Sequence, residues 1–351
     1  VTDIASRKAD HIELCATGDV GFRAKTTLLE DVELVHDSLP ELALDEVDTR
    51  VSVFGKRLRA PLFIAAMTGG TDRARDVNRE LAAVAEARGY GFGLGSQRPM
   101  LRGERADTFE VRGVAPSTVL LGNLGAVQVR ELGTAEVADL VARVGADALC
   151  VHLNPAQEIV QPGGDRDFRG SLAAIERLVD ELPVPVVAKE TGCGLGPAAV
   201  AKLARAGVRH VDVSGAGGTS WVAVEAERAT GGARALGDAL REWGVPTAAA
   251  IAFARAARPR LRTIIATGGV ATGLDVARAL ALGAHAAGIA RPVLQAFVAG
   301  GRAGAEAFLD RVEAELRAVM LLCGARDVAA LRKTPRLVRG ELRAWLELAR
   351  G

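Results

Sequence analysis

Eight short apolar runs, each followed by residues at helical spacing, constrain this chain's fold more than any other feature. They lie at Leu62–Ala66, Tyr90–Leu94, Val119–Gly122, Ala148–His152, Val184–Lys189, His210–Ser214, Ile264–Thr267 and Ala286–Ile289. Helical patterns sit between them, at Arg73–Arg88, Thr134–Val144, Ser171–Leu182, Pro197–Ala206 and Leu274–Leu282. Nearly continuous apolar strands indicate burial on both faces, as in a parallel sheet. Regular alternation of strand and helix predicts an α/β fold, a TIM (β/α)8 barrel. An open doubly wound sheet is the competing arrangement, but eight units close a barrel without remainder.

The last repeat shows the pattern most fully. A β-branched run, Thr263 to Thr267, stops at Gly268-Gly269; a helix runs from Leu274 to Leu282 and closes at Gly283; a small strand, Ala284 to Ile289, ends at Ala290-Arg291. Either the glycines merely turn the chain within an αβ unit, or they let backbone N–H groups approach an anion, with the helix opening near Thr272 expected to aim its positive end at the same place. Barrels of this class hold phosphate after strands seven and eight.

The expected division is an N-terminal extension (1–60), a barrel core (61–300) and C-terminal helices (301–351), together one domain. The extension carries an amphipathic helix at SRKADHIEL and strands at Val32–Val35 and Val51–Phe54. Two connections are long: Ser96–Ser117, and Trp221–Val245 ahead of a helix at Ala248–Ala257. Long loops in compact barrels are expected to be lids or oligomer contacts.

Of the 351 residues 49% are hydrophobic, enough for a large core, and the formal net charge is +1. A near-neutral chain has no global field for nucleic acid or a membrane surface, so anion recognition must be local. Cys15, Cys150, Cys193 and Cys323 form no C-x-x-C pair, which predicts a reduced, cytoplasmic chain without a zinc or disulfide framework. No signal core opens the sequence, and no apolar run approaches the roughly 20 residues of a membrane span.

In a barrel the residue closing each strand faces the catalytic mouth. Those residues are Met67-Thr68-Gly69-Gly70, Gly95-Ser96-Gln97-Arg98, Asn123, His152-Leu153-Asn154, Lys189-Glu190, and Ser214 with Gly217-Gly218-Thr219. Polar groups converge at one end, with no Ser-His-Asp or Cys-His set and no repeated histidine ligands. Lys189 closes the apolar run VPVVAK and is read as a cation facing an anionic or electron-rich ring rather than a snorkelling strand terminus. Asn154-Pro155-Ala156-Gln157 also reads as an ordinary helix start, although Pro162-Gly163-Gly164 leaves little helix to cap. Glu158 is either a solvated loop carboxylate or a ligand for Mg²⁺ bridging to a substrate phosphate. Arg7, Lys8 and His11 on one helix are either a solvated face or, with Arg98, a diphosphate clamp. Trp221 is either a pocket wall or packing for the long loop.

With these residues in view, the chain resembles the type 2 isopentenyl diphosphate isomerases, FMN-dependent barrels, over almost its whole length. The resemblance rests on Arg7-Lys8-x-x-His11, Met67 to Gly70, Gly95 to Arg98, His152 through Gln157-Glu158 to Asp165-Arg166, Val187 to Gly194, Ser214 to Trp221 and Gly268 to Ala284. It implies that Ala66, Met67, Thr68, Ser96, Asn123, Lys189, Ser214 and Thr219 contact FMN, with Gly268-Gly269 and Ala290-Arg291 cradling its phosphate. It implies that Arg7, Lys8, His11, Ser96, Arg98, His152, Asn154 and Gln157 bind substrate, and that Glu158 holds Mg²⁺. Gln157, His152, Lys189 and Trp221 are the implied catalytic set. The implied reaction interconverts isopentenyl and dimethylallyl diphosphate by a 1,3-proton shift, with FMN reduced by NAD(P)H. The resemblance further implies a homo-oligomer, a tetramer or octamer.

Two other readings compete. An FMN-dependent α-hydroxy-acid oxidase shares Lys189 and Gly268-Gly269 but carries a His and an Arg after strand six, where this chain reads Ser214 to Thr219. A non-catalytic barrel that binds a phosphorylated ligand is compatible with the fold alone.

Overall fold

The computed structural model describes residues 4–348, apart from the side chains of residues 4–7 and 9. Eight parallel strands close into a barrel: β1 (Leu62–Ile64), β2 (Gly91–Gly93), β3 (Leu120–Gly125), β4 (Ala148–Leu153), β5 (Val186–Glu190), β6 (His210–Asp212), β7 (Thr263–Ala266) and β8 (Ala286–Ile289). Each falls within or beside one of the expected runs. Closure is made by β8 pairing with β1, Gly288 opposite Phe63 and Ile289 opposite Ile64.

Alternation along the strands divides the core in two. Phe63, Leu121, Cys150, Val187 and Ile265 point inward and fill the barrel. Gly91 leaves room for the Phe63 ring, which would collide with any Cβ there. A hairpin of Val51–Val53 and Lys56–Leu58 plugs the bottom, with Val53 and Leu58 packed onto this inner cluster. The outward residues pack against the surrounding helices in a second, larger cluster.

The helices form where the spacing predicts. Asp72–Arg88 is capped by the Thr71 hydroxyl, which accepts from the Ala74 N–H, and ends at left-handed Gly89. Gly273–Leu282 begins in a reciprocal Thr272/Asp275 capping box. The N-terminal helix, Ile4–Thr17, lies across the carboxyl ends of the strands, where Lys8 Nζ donates to the Ser96 carbonyl.

Three expectations need correction. The Trp221–Val245 stretch is not a loop but holds two helices, Trp221–Arg228 and Gly231–Leu240. Its glycines argue against helix by propensity, yet Gly237 is where the second helix meets Ala226 and Val160 too closely for a side chain. The C-terminal segment is not wholly helical: Arg336–Val338 pairs antiparallel with Val32–Leu34. The preceding helix, Arg291–Leu322, starts inside the expected core and is broken by non-helical Gly300 and Gly301. Finally, the helix opening at Thr272 does not aim at an anion. Its Thr272 N–H goes to Asp275 and its Gly273 N–H to Glu315, so those donors are spent inside the protein.

Candidate active site

A cavity of about 450 Å³ opens at the carboxyl ends of the strands. Every residue to which the resemblance gives a binding or catalytic role lines it except Arg7, whose side chain lies outside the described residues, whereas Gly69, Gly70, Gln97, Leu153 and Glu190, also expected at the mouth, do not line it. The eight strands thus deliver their terminal residues to one mouth, as barrel geometry requires.

One wall is built for close approach by backbone. Gly268 and Gly269 follow β7 with φ of 97° and 75°, a region that favours glycine. A Cβ on Gly268 would collide with the Gly215 carbonyl, and one on Gly218 would strike Gly269. Two glycine turns, after β6 and after β7, therefore lie back to back. Among the described residues nothing in the protein accepts from the Gly268 or Gly269 N–H. Beside them the Arg291–Leu322 helix begins at the mouth, with Ala290, Arg291 and Pro292 in the wall. Its N-terminus supplies the helix dipole that the sequence assigned to Thr272. The Arg291 guanidinium is itself engaged, donating to the Cys15 carbonyl at 2.9 Å and the Gly18 carbonyl at 2.6 Å. What this helix start offers an anion is therefore backbone N–H and dipole.

The floor is cationic. Lys189 is the last residue but one of β5 and is buried, donating to the Glu190 carbonyl at 2.8 Å with Asp212 Oδ2 at 3.4 Å. Asp212 is held in turn by the Thr267 hydroxyl at 2.5 Å. Lys189 is thus fixed by a carboxylate on the neighbouring strand, and the snorkelling reading does not hold. On β4, His152 Nδ1 faces Asn123 Oδ1 at 2.8 Å, while Asn123 Nδ2 donates to the Leu94 carbonyl at 3.1 Å. That arrangement makes Asn123 Oδ1 an acceptor, so the proton sits on His152 Nδ1 and Nε2 keeps its lone pair. Burial pushes the His152 pKa down to about 3, and the charges of Lys189, Lys8 and Arg98 push the same way. His152 is neutral throughout the physiological range.

The opposite wall gathers amides and carboxylates. Asn154 starts the short Pro155–Val160 helix without capping it by its side chain. The amide instead donates to Gln157 Oε1 at 3.3 Å and to Glu158 Oε1 at 2.9 Å. Glu158 is buried, and its other oxygen accepts from the Asp165 N–H at 2.8 Å and from Gln161 at 3.4 Å. A solvated loop glutamate is excluded. Among the described residues no group of three or more His, Cys, Asp or Glu side chains is placed to hold a metal. Glu158 is a single buried carboxylate open to the cavity, aimed by the Asn154 and Gln161 amide N–H groups that donate to it. Such a donor set suits Mg²⁺, which keeps several waters and completes its shell with substrate phosphate.

Sequence reasoning missed Glu225. It lies on the Trp221–Arg228 helix with a side chain that is 0% exposed. Its Oε1 accepts from Gln157 Nε2 and from His11 Nε2, both at 2.9 Å, and Arg228 Nη1 donates to its Oε2 at 2.9 Å. Burial alone would raise the Glu225 pKa; the His11, Gln157 and Arg228 interactions outweigh it and the net shift is downward. Trp221 stacks edge-on against His11 with ring centroids 5.1 Å apart, so it is both pocket wall and helix packing. Only the helical reading of this stretch, with Trp221 and Glu225 four apart on one face, could have pointed to Glu225. Asp212, two residues before Ser214 on β6, carried no signal beyond strand alternation.

Residues 2–104 and 127–339 match the family model described as FMN-dependent dehydrogenase. A Nostoc protein named isopentenyl-diphosphate delta-isomerase is 44% identical over 337 residues, covering 95% of this chain and 96% of its own. One of the same name from Methanopyrus kandleri is 44% identical, covering 97% of this chain and 94% of its own. Among solved structures, a mandelate oxidase variant with (S)-mandelic acid superposes with a TM-score of 0.65 at 19% identity, covering 96% of each chain. That likeness speaks for the fold alone. With this extent of identity, and with the motif residues gathered at one barrel mouth, the chain belongs to the isopentenyl-diphosphate delta-isomerases, on the FMN-dependent dehydrogenase scaffold.

Proposed function

We propose that this enzyme holds FMN and a prenyl diphosphate in one mouth and interconverts isopentenyl and dimethylallyl diphosphate. The observation that carries the reading is convergence: Lys189, His152, Gln157 and the Gly268-Gly269 turn all line one cavity. FMN fits the residues present. The paired glycine turns leave no space for a Cβ, and the adjacent helix N-terminus suits a phosphate. Thr68, Ser96, Asn123, Lys189, Ser214 and Thr219, with the backbone at Ala66 and Met67, surround the remaining ring-sized space.

The reaction moves a double bond by adding a proton at one carbon and removing one two carbons away, with no net oxidation. When bound, FMN reduced by NAD(P)H would supply proton-exchange chemistry at a ring nitrogen. The protein's own residues bind and orient. Lys8, His11 and Arg98, with Arg7, gather the diphosphate, and Glu158 would hold Mg²⁺, whose charge would offset that of the diphosphate. Asn154 keeps the Glu158 carboxylate aimed. His152, neutral, places no charge beside the alkene and offers Nε2 as an acceptor. Gln157 is held by Glu225 on one side and Asn154 on the other, so its amide cannot swing from the reacting carbons. Trp221 shuts water from the apolar end. A cytoplasmic homo-oligomer, tetramer or octamer, completes the proposal.

Purified protein should be yellow, and after dithionite reduction it should turn over isopentenyl diphosphate with Mg²⁺ present. Colourless protein that takes up no FMN would remove the reading, and turnover of glycolate or lactate instead would move it to an oxidase. Glu158→Gln should weaken Mg²⁺-dependent substrate binding and leave FMN bound. Lys189→Ala should cost flavin affinity first, by roughly tenfold or more.

A further inference from the structure

A second cavity, of about 160 Å³, opens at the other end of the barrel, where β7 and β8 begin. Arg255, Arg260, Arg332, Arg336 and His285 line it, and no Asp or Glu does. Leu261, Ile264 and Leu282 form an apolar floor. These arginines come from three separate places: the end of the Thr247–Ala256 helix, the loop into β7, and the residues around the C-terminal strand Arg336–Val338. Folding therefore brings together two basic stretches of the chain, residues 255–262 and 332–336.

Like charges brought together without a counter-charge raise the energy of the folded state. Every charged neighbour that registers at Arg255 is another arginine, namely Arg260, Arg258 and Arg336. At Arg332 it is Arg255. Most of this chain's other arginines have a carboxylate beside them, as Arg88 has Asp310 and Arg317 has Glu313. Two further features suit an occupant. Arg332 is anchored, its Nε and Nη2 donating to the Ala284 carbonyl at 3.1 and 3.0 Å, so it meets a ligand already oriented. His285 Nδ1 accepts from the Ile264 N–H at 3.0 Å, which leaves Nε2–H as a second fixed donor.

We propose that this bottom pocket is a binding site for a small multiply charged oxyanion of the phosphate or diphosphate type, distinct from the active-site mouth. Guanidinium forks match the paired oxygens of a phosphate, and several such groups around one small cavity exceed what a single monoanion needs. The volume admits one or two phosphate groups and no nucleotide. The site lies across the full length of the barrel from the Gly268-Gly269 turn, so an occupant there would act on stability and not on the reacting atoms. The inference does not depend on the isomerase reading.

The test uses the full-length protein with inorganic phosphate and inorganic pyrophosphate as probes, against sodium chloride of equal ionic strength. The His285 ring resonance should shift saturably with phosphate, and the thermal midpoint should rise with it. Arg260→Gln/Arg336→Gln, which leaves the active-site mouth untouched, should weaken that saturation about tenfold or more while isomerase activity is unchanged. Because pyrophosphate also suits the active-site clamp, the His285 signal, not total binding, is the deciding readout. A response matched by chloride alone, or one the double variant retains, would overturn the proposal. So would a change of oligomeric state in the double variant, since the arginines would then be paired by a second copy of the chain.

Discussion

Glu225 shows how one buried charge can organise a site without lining it. It receives one hydrogen bond each from His11 and Gln157 on one oxygen and an ion pair from Arg228 on the other. Glu225→Gln keeps the shape but replaces a shared anion with an amide that must also donate. The expected outcome is a fall in kcat of about tenfold or more, the scale of one charge-assisted hydrogen bond, with FMN titration unchanged. Unaltered kcat would show that Gln157 is held by Asn154 alone. Most of the polar residues that line the cavity were legible one by one, because a polar residue at the end of an apolar strand has few reasons to be there. Glu225 and Asp212 were not, because each looks like a surface or strand residue until its partners arrive from Ile4–Thr17 and from β5.

Among the elements, the turn after β7 and the helix after β6 differ in what they tolerate. Gly268→Ala forces a side chain into the Gly215 carbonyl at a φ of 97°. Strain of this kind costs roughly 1–3 kcal/mol, and it should appear as a lower Tm together with weaker FMN binding. Ser220→Ala removes the cap of the Trp221–Arg228 helix, whose Ala223 N–H it accepts, and strands the Arg241 carbonyl to which it donates. A loss of about 1 kcal/mol is expected, visible as faster amide exchange confined to residues 221–228 while the barrel strands keep their protection. Uniform acceleration everywhere would show that this helix does not open on its own. The barrel helices were readable from spacing and caps. The two helices of 221–240 were not, since close helix contact at Gly237 demands the residue that propensity counts against a helix.

For the molecule as a whole, pH dependence follows from histidines folded in without charge. Burial, reinforced by nearby cations, takes His152 from 6.5 to about 3, and His210 and His285 to about 4. The unfolded chain binds protons at these rings below about pH 6.5 and the folded chain does not. Stability is therefore full above that pH and falls as pH drops toward 4 and 3. The urea midpoint should be lower at pH 5 than at pH 7, and all three rings should remain neutral at pH 5 by NMR. Glu190 works in the opposite sense: burial raises its pKa from 4.5 to about 8, against the Cys193 and Gly194 N–H donors and the nearby charge of Lys189. Its share of stability is present at low pH and is lost as pH rises through 8. The acid-side loss should dominate, because three groups drive it and one opposes it.

By itself the sequence determined the eightfold alternation of strand and helix, the end of each strand that carries chemistry, and the absence of a global charge. Each follows from periodicity, which acts between residues close along the chain. Tertiary structure alone decided which helix start faces the mouth. Thr272 and Arg291 both open helices after apolar strands, yet Glu315, far along the chain, takes up the Gly273 N–H at the first of them. The pairing of Arg336–Val338 with Val32–Leu34, the anchoring of Gln157 by Glu225, and the gathering of four arginines beneath β7 are of the same kind. Each joins residues distant in sequence, and no local pattern records a contact that only chain closure makes.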